Sequence, residues 1–174
     1  VGAQLRDYPI RYTDADKKSR VVAKEMLGID PSLPVVIVLG GSQGAERLNN
    51  AASRAVCMNE STFFVLHQAG KNAEQYADLY RAQKKNAQVH RFVDTKTLAL
   101  WYSAADCAIS RAGSGTIHEL LFFQVPTVLV PLSGGAAEHQ ADNAQAVSRQ
   151  YPELFISAPE TADGIAQKIA ERMY

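Results

Sequence analysis

The chain has 174 residues, of which 47% are hydrophobic, and this is enough apolar material to bury a core. Its 18 basic and 18 acidic residues give a formal net charge of zero, which argues against a nucleic-acid-binding surface. No apolar run approaches the roughly 18 residues of a membrane span, and Cys57 and Cys107 lack CxxC spacing, which predicts reduced thiols in a cytoplasmic protein.

Short apolar runs alternate with amphipathic helical patterns along the chain. The predicted strands are Val35–Leu39, Thr62–His67, Gln88–Phe92, Cys107–Ser110, Thr127–Val130 and Leu154–Ser157. The predicted helices are Asp16–Leu27, Ala45–Met58, Asn72–Gln83, Lys96–Ser103, Thr116–Phe123, Glu138–Arg149 and Thr161–Met173. The strand runs are continuously apolar, which is typical of strands covered on both faces. The sequence therefore predicts an α/β fold with a doubly wound, Rossmann-like parallel sheet.

Sheets of this kind bind ligands at the carboxyl ends of their strands, so the segments that follow the strands are the candidates for a site. The first such segment is GGSQG, Gly40–Gly44. Glycines allow a close approach of the backbone, and the N–H groups of a following helix favour an anion. The segment lacks the Lys-Ser/Thr of a Walker loop, and the second strand ends in His67 and Gln68 rather than in the acid of a dinucleotide site. We therefore expect the phosphate of a mononucleotide here; the alternative is a glycine turn needed only for packing.

The segment after the fourth strand, SRAGSGTIHE, again joins a strand to a helix through glycines. Glu119 lies three residues after Thr116, which is the spacing of a capping box. A carboxylate also suits the two vicinal hydroxyls of a ribose, because its oxygens accept two hydrogen bonds. The pattern alone favours the cap and leaves both interpretations open.

The segment after the fifth strand places Glu138, His139 and Gln140 in the first turn of a helix. Such side chains, which supply both donors and acceptors, suit the hydroxyls of a sugar. Ordinary capping of the helix by acidic residues explains the pattern equally well.

Two features that suggest a metal have simpler explanations. Asp14–Asp16 matches an acid-x-acid metal motif, but it precedes the first strand, and N-capping of the helix that begins at Asp16 explains it better. The four histidines have no metal-ligand spacing. We therefore expect neither a metal nor another cofactor.

Taken in chain order, these segments resemble the carboxy-terminal domain of the MurG family of bacterial glycosyltransferases. GGSQGAERLN resembles the glycine loop of that family, SRAGSGTIHELL followed by VPTVLVPL its donor-binding segment, and EHQADNA its sugar-binding helix start. The family transfers N-acetylglucosamine from UDP-GlcNAc to undecaprenyl-pyrophosphoryl-muramyl-pentapeptide, converting lipid I to lipid II in peptidoglycan synthesis. Its GT-B fold has two doubly wound domains that face a cleft, and the resemblance implies that this chain is the C-terminal half.

The resemblance also implies a donor-binding role for eleven residues. Those expected at the diphosphate are Arg6, Ser42, Gln43 and Gly44. Those expected at the sugar and the diphosphate are Ser114, Gly115 and Thr116. The resemblance assigns the uracil edge to the backbone of Val93 and the ribose to the carboxylate of Glu119. It assigns the hydroxyls of the GlcNAc to His139 and Gln140.

The same resemblance implies what surrounds the domain. Residues 1–174 would form the UDP-sugar-binding domain, with residues 1–13 as an interdomain linker. Because the sequence begins at Val1 without an initiator methionine, we expect it to be a piece of a longer polypeptide. The resemblance implies an amino-terminal domain outside these residues, which carries the catalytic base and binds the lipid-linked acceptor. We expect no nucleic-acid partner and no membrane insertion by this domain, and a full-length enzyme that is peripheral on the inner face of the plasma membrane.

Two alternatives remain open at this stage. One is the donor-binding domain of another lipid glycosyltransferase, similar to a diacylglycerol galactosyltransferase. The other is a stand-alone donor-binding subunit of a split GlcNAc transferase.

Overall fold

The computed structural model describes residues 14–41, 45–132 and 138–174, with only the backbone for residues 14–18. The strands are β1 Val35–Leu39, β2 Phe64–Gln68, β3 Asn86–His90, β4 Cys107–Ser110, β5 Thr127–Leu129 and β6 Phe155–Ser157. The helices are α1 Asp14–Met26, α2 Glu46–Met58, α3 Ala73–Ala82, α4 Thr95–Ala104, α5 Ser114–Phe122, α6 Glu138–Gln150 and α7 Ala162–Met173. A short 3-10 turn, Gly70–Asn72, precedes α3.

The six strands form one parallel sheet in the order β3-β2-β1-β4-β5-β6, which confirms the predicted fold class. The chain order reverses between β1 and β4, and this is the switch point at which such sheets bind ligands. In that pair Leu39 lies opposite Ser110. The segments that follow β1 and β4 therefore leave the sheet side by side, at its carboxyl edge.

The core lies on both faces of the sheet because successive side chains of a strand point to opposite faces. Val35 and Ile37 of β1 pack on the face covered by α4, α5 and α6. Val36 and Val38 pack on the face covered by α2, α3 and α7. All five residues of β1 are buried, which explains why its sequence shows no polar alternation.

A cluster of charged groups closes the amino edge of the sheet. The Asp106 carboxylate accepts hydrogen bonds from Arg20 at 2.7 Å, from Lys24 Nζ at 2.9 Å and from the Val35 N–H at 2.8 Å. Lys24 is 5% exposed and also donates to the carbonyl oxygen of Leu33 at 2.8 Å. A buried ammonium requires such partners, and here they fix α1 to the starts of β1 and β4.

Each predicted element is present within two residues of its predicted bounds. The predicted N-cap at Asp16 was wrong, because α1 begins at Asp14 and Asp16 is its third residue. Within the described ranges, no helix has both the length and the apolar composition needed to cross a membrane.

Candidate functional site

The loop after β1 begins with two glycines, Gly40 and Gly41, and a different physical constraint requires glycine at each position. Gly41 has φ +71°, a conformation that other residues rarely adopt. A Cβ atom added at Gly40 would overlap Asn49 Oδ1 and lie 2.7 Å from Asn49 Cγ. The carbonyl of Gly40 accepts a hydrogen bond from the N–H of Ala45 at 2.8 Å, and this bond joins the two ends of the loop. The predicted residues Ser42–Gly44, like Arg6, lie outside the described residues.

A buried chain of polar side chains supports this loop from below. Asn49 and His67 are both fully buried. Asn49 Nδ2 donates to the carbonyl of Ala69 at 3.1 Å, so its Oδ1 accepts from His67 Nε2 at 2.9 Å. His67 Nδ1 then accepts from the Tyr80 hydroxyl at 2.9 Å. The histidine is therefore the neutral Nε2–H tautomer, and it connects β2 to α2 and α3. The sequence indicated only that His67 replaces an acid; its role as a buried connector was missed.

This histidine makes a pH-dependent contribution to stability. Burial lowers the pKa of His67 to about 3, whereas an unfolded histidine titrates near ~6.5. The unfolded chain thus binds a proton that the folded chain does not, so the contribution is complete above pH ~6.5 and is lost as the pH falls towards 3. We expect the protonation of His67 in the unfolded chain to lower the free energy of unfolding by about 1 kcal/mol as the pH falls from 6 to 5.

Nitrogen-detected NMR of the imidazole ring measures this directly. The prediction is a neutral Nε2–H ring for His67 at pH 5 in the folded chain and a protonated ring in urea. A folded protein whose His67 ring is protonated at pH 5 would show that the buried chain of hydrogen bonds is not formed as described.

The helix after β4 begins without a side-chain cap. Its N-cap is Gly113, with φ −70° and ψ 141°, and no side chain accepts a bond from the first turn. Thr116 is the third residue of the helix rather than its cap, so the capping-box interpretation of Thr116 and Glu119, one of the two that the pattern left open, does not hold. Ser114 and Gly115 are exposed, and a Cβ atom at Gly115 would meet no described atom within 4 Å apart from its chain neighbours and the backbone of its own helix. Among the described residues, no side chain caps the N–H groups of this first turn, which leaves them available to a ligand.

The described partner of Glu119 is the side chain of Tyr102 and not the backbone at the start of α5, which the spacing of a capping box had suggested. The side chain of Glu119 is exposed, and its Oε2 accepts a hydrogen bond from the hydroxyl of Tyr102 on α4 at 2.7 Å. Tyr102 is only 4% exposed and its ring lies 5.2 Å from the ring of Phe123. Burial, and then the bond to Glu119, raises the pKa of Tyr102, so the hydroxyl remains a donor. The carboxylate is thus held at one oxygen beside the open first turn of α5.

Val93 lies at the same carboxyl edge of the sheet but at its far end. It follows β3, three strands from β4, which corresponds to about 14 Å at the ordinary spacing of strands. It is 6% exposed, and its N–H donates to Gln68 Oε1 at 3.0 Å. Asp94 then caps α4 by accepting from the N–H of Thr97 at 2.8 Å, and this bond lowers the pKa of Asp94. A nucleobase that accepted a hydrogen bond from the Val93 N–H would have to displace the amide oxygen of Gln68.

The start of α6 lies next to the start of α5. Asn143 Nδ2 donates to the carbonyl of Ala112, in the loop before α5, at 3.1 Å. Gln140 Oε1 accepts from the N–H of Leu132 at 3.0 Å, and His139 is exposed. The structure therefore brings the predicted residues of α6 close to those of α5. The bond from Asn143, which the sequence did not predict, connects the two segments.

Arg111 immediately follows β4, and the sequence did not single it out. It donates to the carbonyl of Val130 at 3.2 Å and also pairs with Glu160, which in turn lies 3.1 Å from Arg47 of α2. These side chains fix the loop before α5 relative to β5 and α7. A cleft of about 400 Å³ beside them is lined by Arg47, Arg54, Glu160 and Thr161 among others, and none of the predicted site residues that the structure describes lines it.

Residues 35–173 match the family model described as Glycosyltransferase family 28 C-terminal domain. A protein of Thermus thermophilus is 38% identical over 152 residues, which cover 84% of this chain and 41% of that protein. A protein of Pseudomonas fluorescens is 40% identical over 138 residues, which cover 78% of this chain and 38% of that protein. Both are named UDP-N-acetylglucosamine--N-acetylmuramyl-(pentapeptide) pyrophosphoryl-undecaprenol N-acetylglucosamine transferase. The chain spans only about two fifths of the length of these relatives.

Two solved structures share the arrangement of the sheet and helices. The crystal structure of MurG from Acinetobacter baumannii matches this chain with a TM-score of 0.73 and 28% sequence identity. The match covers 82% of this chain and 44% of the MurG chain. The glycotransferase of kitacinnamycin matches 99% of this chain and 39% of its own, with a TM-score of 0.63. At 18% identity this second match shows a common fold and nothing more.

Proposed function

The chain belongs to the family of glycosyltransferase family 28 C-terminal domains, and from this premise we propose that it binds UDP-GlcNAc as the donor-binding half of a MurG-type GT-B transferase. The whole enzyme would transfer GlcNAc to lipid I, as the names of the relatives suggest. The observation that carries the proposal is the exposed carboxylate of Glu119 on α5. It accepts a hydrogen bond from Tyr102 of α4, and the first turn of α5 has no side-chain cap among the described residues.

The geometry of α5 suits a nucleoside diphosphate. Glu119 lies four positions after Gly115 in the first turn, a rise of about 6 Å along the helix axis. The uncapped N–H groups favour the diphosphate, and the carboxylate one turn later accepts the hydroxyls of the attached ribose. One helix would thus bind both ends of the pyrophosphoryl-ribose unit.

The neighbouring segments supply groups for the rest of the donor. Gln140 uses its Oε1 for the Leu132 N–H, and its amide also carries two N–H donors that suit a sugar hydroxyl. The exposed imidazole of His139 lies on the same turn of α6. Val93 and Gln68 would receive the uracil, with the Gln68 amide moving aside as the base engages the backbone.

The chemistry that these residues supply is stabilisation of the leaving group. In an inverting transfer, negative charge develops on the diphosphate as the glycosidic bond breaks. The positive end of the α5 dipole and its N–H groups would stabilise that charge in the absence of a metal. We propose a metal-independent site for this reason, with Ser42 and Arg6 as further ligands and with the base that deprotonates the acceptor on the amino-terminal domain. The whole enzyme would act on the inner face of the plasma membrane.

Calorimetry with UDP, UDP-GlcNAc, UDP-galactose and ADP, all in the presence of a chelator, tests the proposal. A few charge-assisted bonds at an open site predict a Kd on the order of 1 mM, or about −4 kcal/mol, for UDP and UDP-GlcNAc. We expect weaker binding of ADP, because the site at Val93 would be built for uracil. Tighter binding of UDP-galactose than of UDP-GlcNAc would favour a galactosyltransferase. Binding that requires magnesium or manganese would contradict the metal-independent site.

A further inference from the structure

The bond between Tyr102 and Glu119 joins a buried, rigid donor to an exposed, flexible acceptor. Tyr102 is 4% exposed and its ring packs against Phe123 at 5.2 Å, so the position of its hydroxyl is fixed by the core. Glu119 stands on the exposed side of α5, where a glutamate ordinarily samples several rotamers. The 2.7 Å bond between them therefore selects one orientation of the carboxylate.

We propose that Tyr102 is a positioning residue for nucleotide recognition: its hydroxyl holds the Glu119 carboxylate in the orientation that accepts the two ribose hydroxyls. The inference rests on the proposed function, since it concerns the same site. It adds a residue from α4, seventeen positions earlier in the chain, whose side chain does not itself contact the ligand.

The hydrogen-bonding capacity of the carboxylate agrees with this role. An ionised carboxylate offers about four acceptor positions on two oxygens. Tyr102 occupies one position on Oε2, which leaves Oε1 and the second position of Oε2 for two hydroxyls. Holding the side chain in place before the ligand arrives reduces the conformational entropy that binding would otherwise cost.

The competing explanation is that the bond only connects α4 to α5 and stabilises the fold. The chain contains a matched pair for comparison: the Tyr76 hydroxyl donates to Glu46 Oε1 at 2.9 Å, on the opposite face of the sheet. Tyr76 is buried like Tyr102. A Tyr→Phe change at either position removes one bond to a glutamate and preserves the ring.

The experiment measures the affinities of UDP and of 2′,3′-dideoxy-UDP for the parent, Tyr102→Phe, Tyr76→Phe, Glu119→Ala and the Tyr102→Phe/Glu119→Ala double variant. We expect Tyr102→Phe to weaken UDP by about threefold to tenfold, the effect of freeing one flexible side chain, and to leave dideoxy-UDP unchanged. Tyr76→Phe should keep the parental ratio of the two affinities. In the Glu119→Ala background, Tyr102→Phe should have no further effect on UDP.

The other outcomes overturn the inference in distinguishable ways. If folded Tyr102→Phe keeps the parental ratio of UDP to dideoxy-UDP affinity, whether or not both affinities fall, Tyr102 has a structural role only. Equal affinity of the parent for both ligands removes the ribose role of Glu119 and, with it, that part of the proposed function. If Tyr102→Phe does not fold, NMR of the parent decides the matter. The Tyr102 hydroxyl proton should then shift with UDP and not with dideoxy-UDP, and the absence of this difference counts against the inference.

Discussion

We expect the replacement of Glu119 by alanine to lower the affinity of the chain for UDP about tenfold or more. The change would remove the proposed charge-assisted hydrogen bonds to the ribose hydroxyls, which contribute roughly 1.5–3 kcal/mol. The free energy of unfolding should fall by only about 1 kcal/mol, for the loss of one hydrogen bond, because Glu119 does not cap α5 and its described partner is Tyr102.

Calorimetry of UDP and thermal melting of the same samples separate these two effects. Glu74→Ala is the matched control, because Glu74 is an exposed glutamate on α3, at the other face of the sheet, and its removal changes the net charge equally. We expect this control to bind UDP like the parent. A Glu119→Ala protein that melts much earlier yet keeps its affinity for UDP would mean that the carboxylate serves the fold and not the nucleotide.

Replacing Gly40 by alanine destabilises the chain by about 1–3 kcal/mol, the usual cost of overpacking. The added Cβ atom would overlap the amide of Asn49, which cannot turn away without breaking its bonds to His67 and to the carbonyl of Ala69. The change should therefore also disrupt the buried hydrogen bonds that join Asn49 to His67 and His67 to Tyr80 beneath the loop after β1. Affinity for UDP should fall as well, because that loop is expected to contact the diphosphate.

Urea unfolding measures the stability, and Gly115→Ala is the control for this change. It adds the same methyl group at a site where, apart from the chain neighbours and the backbone of the same helix, no described atom lies within 4 Å. Because alanine is also the better helix former, the stability should be unchanged or slightly higher. A Gly40→Ala protein that unfolds at the same urea concentration as the parent would show that the Asn49 side chain moves aside freely.

The sequence predicted the sheet better than it predicted the site. The bounds of β1 and β4 were correct to the residue, because a strand covered on both faces leaves an uninterrupted apolar run. The start of α5 was placed two residues too late, because Gly113 forms the cap in an extended conformation without any side-chain signature. The capping-box interpretation of Glu119 followed from that error.

The contacts that organise the site join residues far apart in the chain, which is why local patterns did not reveal them. Tyr102 and Glu119 are 17 residues apart, His67 and Asn49 18, and Asn143 and Ala112 31. Each contact depends on how two helices or a helix and a strand pack across the sheet. The two partners of each contact lie on different elements or in a loop, so the periodicity within a single helix or strand carries no signal for the contact.

A protein-observed NMR titration of the chain with UDP-GlcNAc in the presence of a chelator tests most directly whether α5 binds the donor. We expect saturable shifts, with one Kd on the order of 1 mM, at the backbone amides of Ser114, Gly115, Thr116 and Glu119, and none at Asp106 on the amino edge of the sheet. Shifts confined to the amino edge or to the cleft beside Arg54 and Thr161, or shifts that develop only after magnesium is added, would contradict this expectation.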